Sequence, residues 1–421
     1  MKHAGIEALH PDEVNRFRAK AFEAVQTLSA FGSGNTSLEH YHSEGDCQVY
    51  HRKAAGAPFG ELTSTVAVHV SFDDAHYALY NRHSKDHRTF LALHHGEDYL
   101  EGTVLNTTLT RSPDDLFQWF GVKYMKVYMP GTTMFEPRDA TYFEYSMSTT
   151  DARGRRIAIF IRETHAFPTV PPYPEVSRIR FTSAQLVTEV GLERVEVVHR
   201  LCLQDVGKIP GFVVKKLILQ ILLLGATLPS LLQKRRLLDS TPLDGSPAPP
   251  IKDPKCVTCN AKFGAFRSAF HCAACGHAMC KSCRVLVFRA LHKKSVSPVV
   301  KLCFCKKCSI EARVTRSNSV SSAASASGVV RSRSTGSVAQ SRSGADELKS
   351  RSSSSDSAST ISVGMPSTLS AMNGVAEMTA PPCVNEILYQ MQTSLEDQKM
   401  LLQMMQMRLA EQERQRFQQL N

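Results

Sequence analysis

The chain of 421 residues holds a single tryptophan, Trp119, and no apolar run long enough to cross a bilayer as one helix. A spanning helix needs about 20 largely apolar residues. The best stretch, Leu217 to Leu232, is shorter, contains Gln220 and Pro229, and lies between Lys215-Lys216 and Lys234-Arg235-Arg236. Its Leu217, Ile221, Leu224 and Leu228 recur at helical spacing, which predicts a helix packed over a sheet. The start, Met1-Lys2-His3-Ala4-Gly5 leading to Glu7, Asp12 and Glu13, has no apolar secretory segment. A cytoplasmic location is therefore expected. Catalytic signatures are missing too. There is no G-x-x-x-x-G-K-[ST] phosphate loop and no G-x-S-x-G nucleophile turn, and Gly102, Gly121 and Gly131 stand isolated. Histidines of the first half, among them His94 and His95, are expected at the surface or in satisfied core positions. Nothing here points to an enzyme.

A hydrophobic share of 42% supports at least one core, and the length allows two or three folded units at about 150 residues each. Residues 1–237 read as one α+β domain. Leu62, Ser64, Val66, Val68 and Val70 alternate with Thr63, Thr65, Ala67 and His69, the period of a strand. Ser71, ahead of Phe72-Asp73-Asp74, caps a predicted helix to Tyr80. Further strands are predicted at Thr103–Thr110, Tyr142–Thr149, Arg156–Glu163, Ile179–Glu189 and Arg194–Leu203, with turns at Asp151 to Gly154 and at Gly191. This order closes on Lys208-Ile209-Pro210-Gly211-Phe212 and the apolar helix, and it resembles the START lipid-transfer family over residues 40–237. The resemblance implies a helix-grip fold: a curved antiparallel sheet gripping a long C-terminal helix, with an interior tunnel for one hydrophobic lipid ligand.

Beyond this domain, Pro242, Gly245, Pro247, Pro249, Pro250 and Pro254 predict a linker over 238–254. Residues 313–382 are serine-rich and short of core-forming side chains, which predicts disorder. Leu388, Met391, Leu395, Leu402, Met405 and Leu409, with Gln398 and Gln412, follow a heptad seam. A coiled coil over 384–420 and a homodimer through it are expected.

Nine of the twelve cysteines lie between Cys256 and Cys308, in short C-x-x-C steps unlike a disulfide framework. Cys256/Cys259, Cys272/Cys275, Cys280/Cys283 and Cys305/Cys308 make four pairs, enough sulfur for two tetrahedral structural zinc ions. A domain of residues 255–312 is too small to fold on apolar burial alone, so the metal supplies the folding free energy. From Lys252 to Arg316 there are fourteen Lys and Arg against two acids, Asp253 and Glu311. Eight thiolates with two zinc ions subtract only about four charges, so the module remains basic and suited to acidic surfaces.

The spacing C-x2-C-x12-C-x2-C-x4-C-x2-C, with Phe263, His271 and Gly276, resembles the FYVE zinc-finger family. The resemblance implies cross-bracing: Cys256, Cys259, Cys280 and Cys283 on the first zinc, and Cys272, Cys275, Cys305 and Cys308 on the second. It also implies contact with endosomal membranes. The chain departs from the family where the phosphoinositide head is bound. The upstream W-x-x-D has no tryptophan, the basic motif has become Ser268-Ala269-Phe270-His271-Cys272-Ala273-Ala274-Cys275, and R-V-C has become Cys303-Phe304-Cys305. Serine and alanine cannot replace an arginine fork on phosphate. Lys262, Phe266 and Arg267 remain as candidate membrane contacts, with Phe263 expected in the core. A second register, Cys275-x-His277-x2-Cys280, fits a RING pattern and would imply a ubiquitin-ligase adaptor; it leaves Cys272 idle. Nucleic acid is not expected, because aromatic and basic residues interleave only from Phe263 to Arg267. Together these features describe a zinc-binding adaptor linked to lipid.

Overall fold

The computed structural model describes residues 6, 9–31, 38–131, 134–241, 247–264, 267–291 and 297–314. Phe266, most of the serine-rich stretch, and the heptad segment with its expected homodimer lie outside the described residues.

Helix α1 (Pro11–Ser29) starts with proline, whose missing N–H is no loss at a first helical position. Strands β1 (Glu39–Glu44), β2 (Cys47–Ala54) and β3 (Ala57–Val68) follow. Helix α2 (Phe72–Leu79) begins as the sequence indicates, with the Ser71 hydroxyl accepting from the Asp74 amide at 3.1 Å. Next come α3 (Ser84–His95), β4 (Tyr99–Leu109), β5 (Trp119–Val127), β6 (Arg138–Thr150), β7 (Arg156–Thr164), β8 (Ser177–Arg178), β9 (Arg180–Gly191) and β10 (Arg194–Asp205). The sheet runs β1-β2-β3-β10-β9-β7-β6-β5-β4, antiparallel throughout, with β8 alone pairing parallel to β6.

Strand alternation gives this sheet two working faces. Phe120, Val122, Phe143, Tyr145 and Ile159 face α1, which answers with Phe17, Ala21, Ala24 and Leu28 at helical spacing. On the other face Leu62, Tyr142, Phe181 and Leu201 meet α4 (Gly211–Leu222) through Val213, Val214, Leu217 and Ile218. A large antiparallel sheet with a helix laid across it fits a START-like helix-grip fold.

The single long helix expected at the end of this domain is broken in two. Helix α5 (Leu224–Asp239) leaves α4 at an angle of 63°. At Gly225 an added Cβ would lie 2.9 Å from Val66 Cγ1 and 3.0 Å from Val197 Cγ1, so α5 begins in direct contact with β3 and β10. One turn later Pro229 has no N–H for the Gly225 carbonyl, which further uncouples the first turn. Among the described residues no single helix is long and apolar enough to cross a membrane. Gly225→Ala is expected to cost about 1–3 kcal/mol through overpacking, read as a lower melting temperature.

The expected linker is partly used. Ala248 N donates to the Ala273 carbonyl and Ile251 N to the Gly276 carbonyl, so this stretch lies along the cysteine-rich domain. That domain consists of β11 (Phe270–His271), β12 (Ala278–Met279), β13 (Arg284–Ala290), β14 (Val299–Cys305) and α6 (Lys306–Val314). Strands β11 and β12 pair antiparallel, as do β13 and β14. Helix α6 packs on α5, and β13 packs on α3. One apolar core runs from Val66 and Leu224 through Leu228 and Leu231 to Val287, Phe304 and Ala312.

Candidate functional site

Between the sheet and helices α3 and α4 lies a cavity of about 80 Å³, within about 690 Å³ of non-atom space that includes its mouth. Met125, Phe181, Leu201, Leu217, Ile221 and Leu224 make much of its wall. The same side of the sheet carries a row of charge, of which Arg162 reaches the cavity wall. Lys123 on β5, Glu144 on β6 and Arg162 on β7 share the cavity face, and Glu144 accepts from Lys123 Nζ and, at 2.7 Å, from Arg162 Nε. Burial alone would push the Glu144 carboxyl up; Lys123 and Arg162 reverse this and hold it at about 2. Burial also pushes the Lys123 amine down, against the pull of Glu144. The Lys123 ammonium lies 4.4 Å from the Trp119 ring centroid, a cation–π contact.

His94 and His95, expected at the surface or in satisfied core positions, line the cavity together with His199. Burial lowers His87 to about 3, His94 to about 4 and His199 to about 3. All are neutral at physiological pH. His87 is satisfied by the Tyr124 carbonyl at 3.1 Å. A signal for the row was present in the sequence: Glu144 and Arg162 fall in predicted strands, in phase with core-facing Tyr142 and Phe160.

The second site is the sulfur. Cys256, Cys259, Cys280 and Cys283 form one group and Cys272, Cys275, Cys305 and Cys308 another, all sulfurs of a group within 4.8 Å of one another. Cys259 and Cys280 sulfurs are 3.8 Å apart, while Cys272–Cys308 and Cys275–Cys305 are both 3.9 Å. A tetrahedral zinc with Zn–S of about 2.3 Å sets its sulfurs about 3.8 Å apart. Each group can hold a metal ion, and the donor set is compatible with zinc. Two knuckles build the sites alike: the residue after each C-x-x-C turns left-handed, Asn260 at φ 55° and Gly276 at φ 75°. A Cβ on Gly276 would meet the Pro249 carbonyl at 2.2 Å, so glycine is required there.

Amide donors prepare the sulfurs for charge. Cys280 N points to Cys256 Sγ at 3.4 Å and Cys305 N to Cys272 Sγ at 3.3 Å. The Cys305 side chain and backbone hold the Cys272 thiol down at about 4, and the Ser282 hydroxyl holds Cys280 at about 6. Burial and neighbouring sulfur charge push Cys283 and Cys308 up to about 12. A divalent ion is what lets all four sulfurs of a group be thiolates together.

His277 lies outside both groups, with Nδ1 2.9 Å from Asp253 Oδ2, while Cys272 lies inside one. The RING register asks for the opposite. Phe263 is half-buried against the core, as expected, while Lys262 and Arg267 are exposed around a turn closed by Arg267 N donating to the Gly264 carbonyl at 3.0 Å. Not every basic residue is free for an acidic surface. Arg289 donates to Thr241, and Lys301 pairs with Glu97.

These contacts belong to an interface that the sequence did not announce. The Gln233 amide of α5 donates to both the carbonyl and the hydroxyl of Ser309 on α6, the latter at 2.7 Å. Arg236 bridges Asp74 to the carbonyls of Ala312 and Arg313. The cysteine domain thus grips the helix that continues the cavity's roof.

Sheet, laid-over helix and cavity define a START-like helix-grip domain, joined to a small domain with two four-cysteine clusters. Neither a family model nor a curated protein matches the chain. Among solved structures, human StAR-related lipid transfer protein 5 is similar at 11% identity over 52% of this chain and 98% of that one, with a TM-score of 0.39. A STAR-related lipid transfer protein fragment from Xanthomonas axonopodis is similar at 16% identity over 47% of this chain and 99% of that one, with a TM-score of 0.36. For the human StarD13 lipid transfer and protein localization domain the values are 14%, 51%, 95% and 0.36.

Proposed function

We propose that the protein is a non-enzymatic, zinc-binding adaptor. Its START-like domain encloses one hydrophobic lipid, and its FYVE-related finger makes peripheral contact with cytoplasmic membranes or partner proteins. The observation that carries this is the apolar cavity roofed by α4. At about 80 Å³ it is smaller than the roughly 300–1,000 Å³ of ordinary ligand sites, so loading a lipid requires α4 to move away from the sheet. The bend at Leu223 supplies the hinge, with α5 held by α6. Cross-braced sulfur groups, Phe263 and Gly276 support the FYVE-type reading of the finger. Lys262 and Arg267, exposed on one turn, supply general attraction to anionic lipid in place of the missing arginine forks.

Lipid pulldown by the purified zinc-loaded chain, followed by mass spectrometry, tests both halves. Recovery of one apolar lipid per chain, with sedimentation on anionic vesicles, is expected. Lys262→Glu with Arg267→Glu should abolish sedimentation and leave the co-purified lipid in place. A chain that carries no lipid and ignores anionic vesicles would sink the proposal.

A further inference from the structure

Two walls of the cavity are backed from outside by the cysteine domain. Helix α3 lines the cavity with Phe90, Leu91, His94 and His95. Behind Leu91 lies a small apolar cluster of Leu91, Ala92 and Tyr99, against which the cysteine domain packs Ala290 and Val299. These two face each other across β13 and β14, at the end of the ribbon away from Cys305. The Phe288 ring stands against Gly96, the C-cap of α3, where an added Cβ would lie 3.3 Å from it. Lys301 pairs with Glu97 one residue on. The other backed wall is α5, which opens with Leu224 in the cavity lining. Its Leu228 and Leu231 share a core with Val287 and Phe304, and its Gln233 holds Ser309.

An occupant enters or leaves only when a wall gives way. With α3 and α5 packed from behind, the movement falls to α4. Its last turn is pinned to β3, where the Ser64 hydroxyl donates to the Leu222 carbonyl at 2.8 Å. Lifting the rest bares Val213, Val214, Leu217 and Ile218 together, which makes this a slow route. Removing Ala290, Val299 and Phe288 from α3 would give the cavity a second wall able to shift. The docking elements are also the metal-bearing ones: β14 ends on Cys305 and α6 carries Cys308. Loss of the metal would therefore undo the docking.

We propose that the docked cysteine domain is a lock on the cavity: it holds α3 and α5 in place and slows exchange of the occupant, and its undocking opens a faster route past α3. This rests on the reading of the cavity as a lipid site. The test uses the zinc-loaded full chain carrying parinarate, a fluorescent fatty acid excited by energy transfer from the lone Trp119, and times its release to empty vesicles. Val299→Lys with Gln233→Ala loosens both walls and touches no cysteine. Release should quicken about tenfold or more, the scale on which one unmatched buried polar group counts, with both zinc ions retained. Hydrogen exchange should rise in β13 and α3. Glu97→Lys should quicken release less, because its pair is exposed. Adding Lys301→Glu should restore the native rate, which a folding defect would not allow. Chelation should give the largest increase. Faster hydrogen exchange in β13 and α3 with an unchanged release rate overturns the proposal. So does a double variant whose β13 stays protected, because these contacts would then not hold the domain. If the native chain retains no parinarate, the lipid-site reading falls. The lock is then decided by hydrogen exchange in α3, and protection there that survives undocking overturns it.

Discussion

Chelation is expected to release two zinc ions per chain and to unfold the cysteine domain, with damage that does not stop at its border. Structural zinc supplies about 10–16 kcal/mol of folding free energy in small zinc domains, more than the whole stability of most domains. Here the loss should spread through the shared apolar core from Phe304 and Val287 to Leu231 and Leu228. Gln233 would lose both bonds to Ser309, and Arg236 would lose the carbonyls of Ala312 and Arg313. Hydrogen exchange on chelated protein should therefore show lost protection in α5 as well as in the finger. Strands β5 to β7 and helix α1, on a separate core, should remain protected. Cys272→Ser should lower the metal content from two ions to one by elemental analysis. Loss of protection confined to residues after Lys255 would show that the two parts fold independently.

The second large effect is expected at the buried charges. Glu144→Gln keeps the shape of the side chain but leaves Lys123 and Arg162 facing each other, both nearly buried. Breaking a buried ionic group in this way costs about 3–5 kcal/mol. Loss of the Lys123 proton is the easiest relief, since burial already pushes that amine down, and it places the cost toward the lower end. The pH dependence has a definite sign. The Glu144 carboxyl is held at about 2 in the fold, below its ordinary value of 4.5. Its contribution is complete above about pH 4.5 and is lost as pH falls toward about 2, roughly 3 kcal/mol in all. Melting curves across that window should fall more steeply for the native chain than for Glu144→Gln. Replacing Lys123, Glu144 and Arg162 together by methionine or leucine should recover much of the stability. An unchanged melting temperature for Glu144→Gln alone would mean that water reaches the triad.

What the sequence made legible was local. Strands β3, β6, β7, β9 and β10 alternate along their own length, and α2 carries its Ser71 cap two residues from its acids, so both could be read without neighbours. The cysteine pairs were legible for the same reason: one turn offers two sulfurs whatever surrounds it. Strand β5 was missed because Lys123 and Lys126 interrupt its apolar run, and the partner that admits Lys123 to the interior is Glu144 on the next strand. The break between α4 and α5 was missed because the contacts that need Gly225 come from Val66 and Val197, far away in the chain. His199 and Gln185 gave no sign at all, since only the folded sheet shows that these polar residues are buried. Helix α1 is a different case. Pro11 with Asp12 and Glu13, then Phe17, Ala21, Ala24 and Leu28, carries a start signal and a helical period within its own sequence.

The lone tryptophan gives this protein an optical property. Trp119 is 1% exposed, under the Lys123 ammonium and across the sheet from Ser146. All indole emission from the described residues therefore arises at one point, on the strand that carries Lys123. The native protein should emit at the short-wavelength end of the indole range. A shift to longer wavelength would report water entering beside Lys123, and it would follow loading, chelation or acid in real time with no added label.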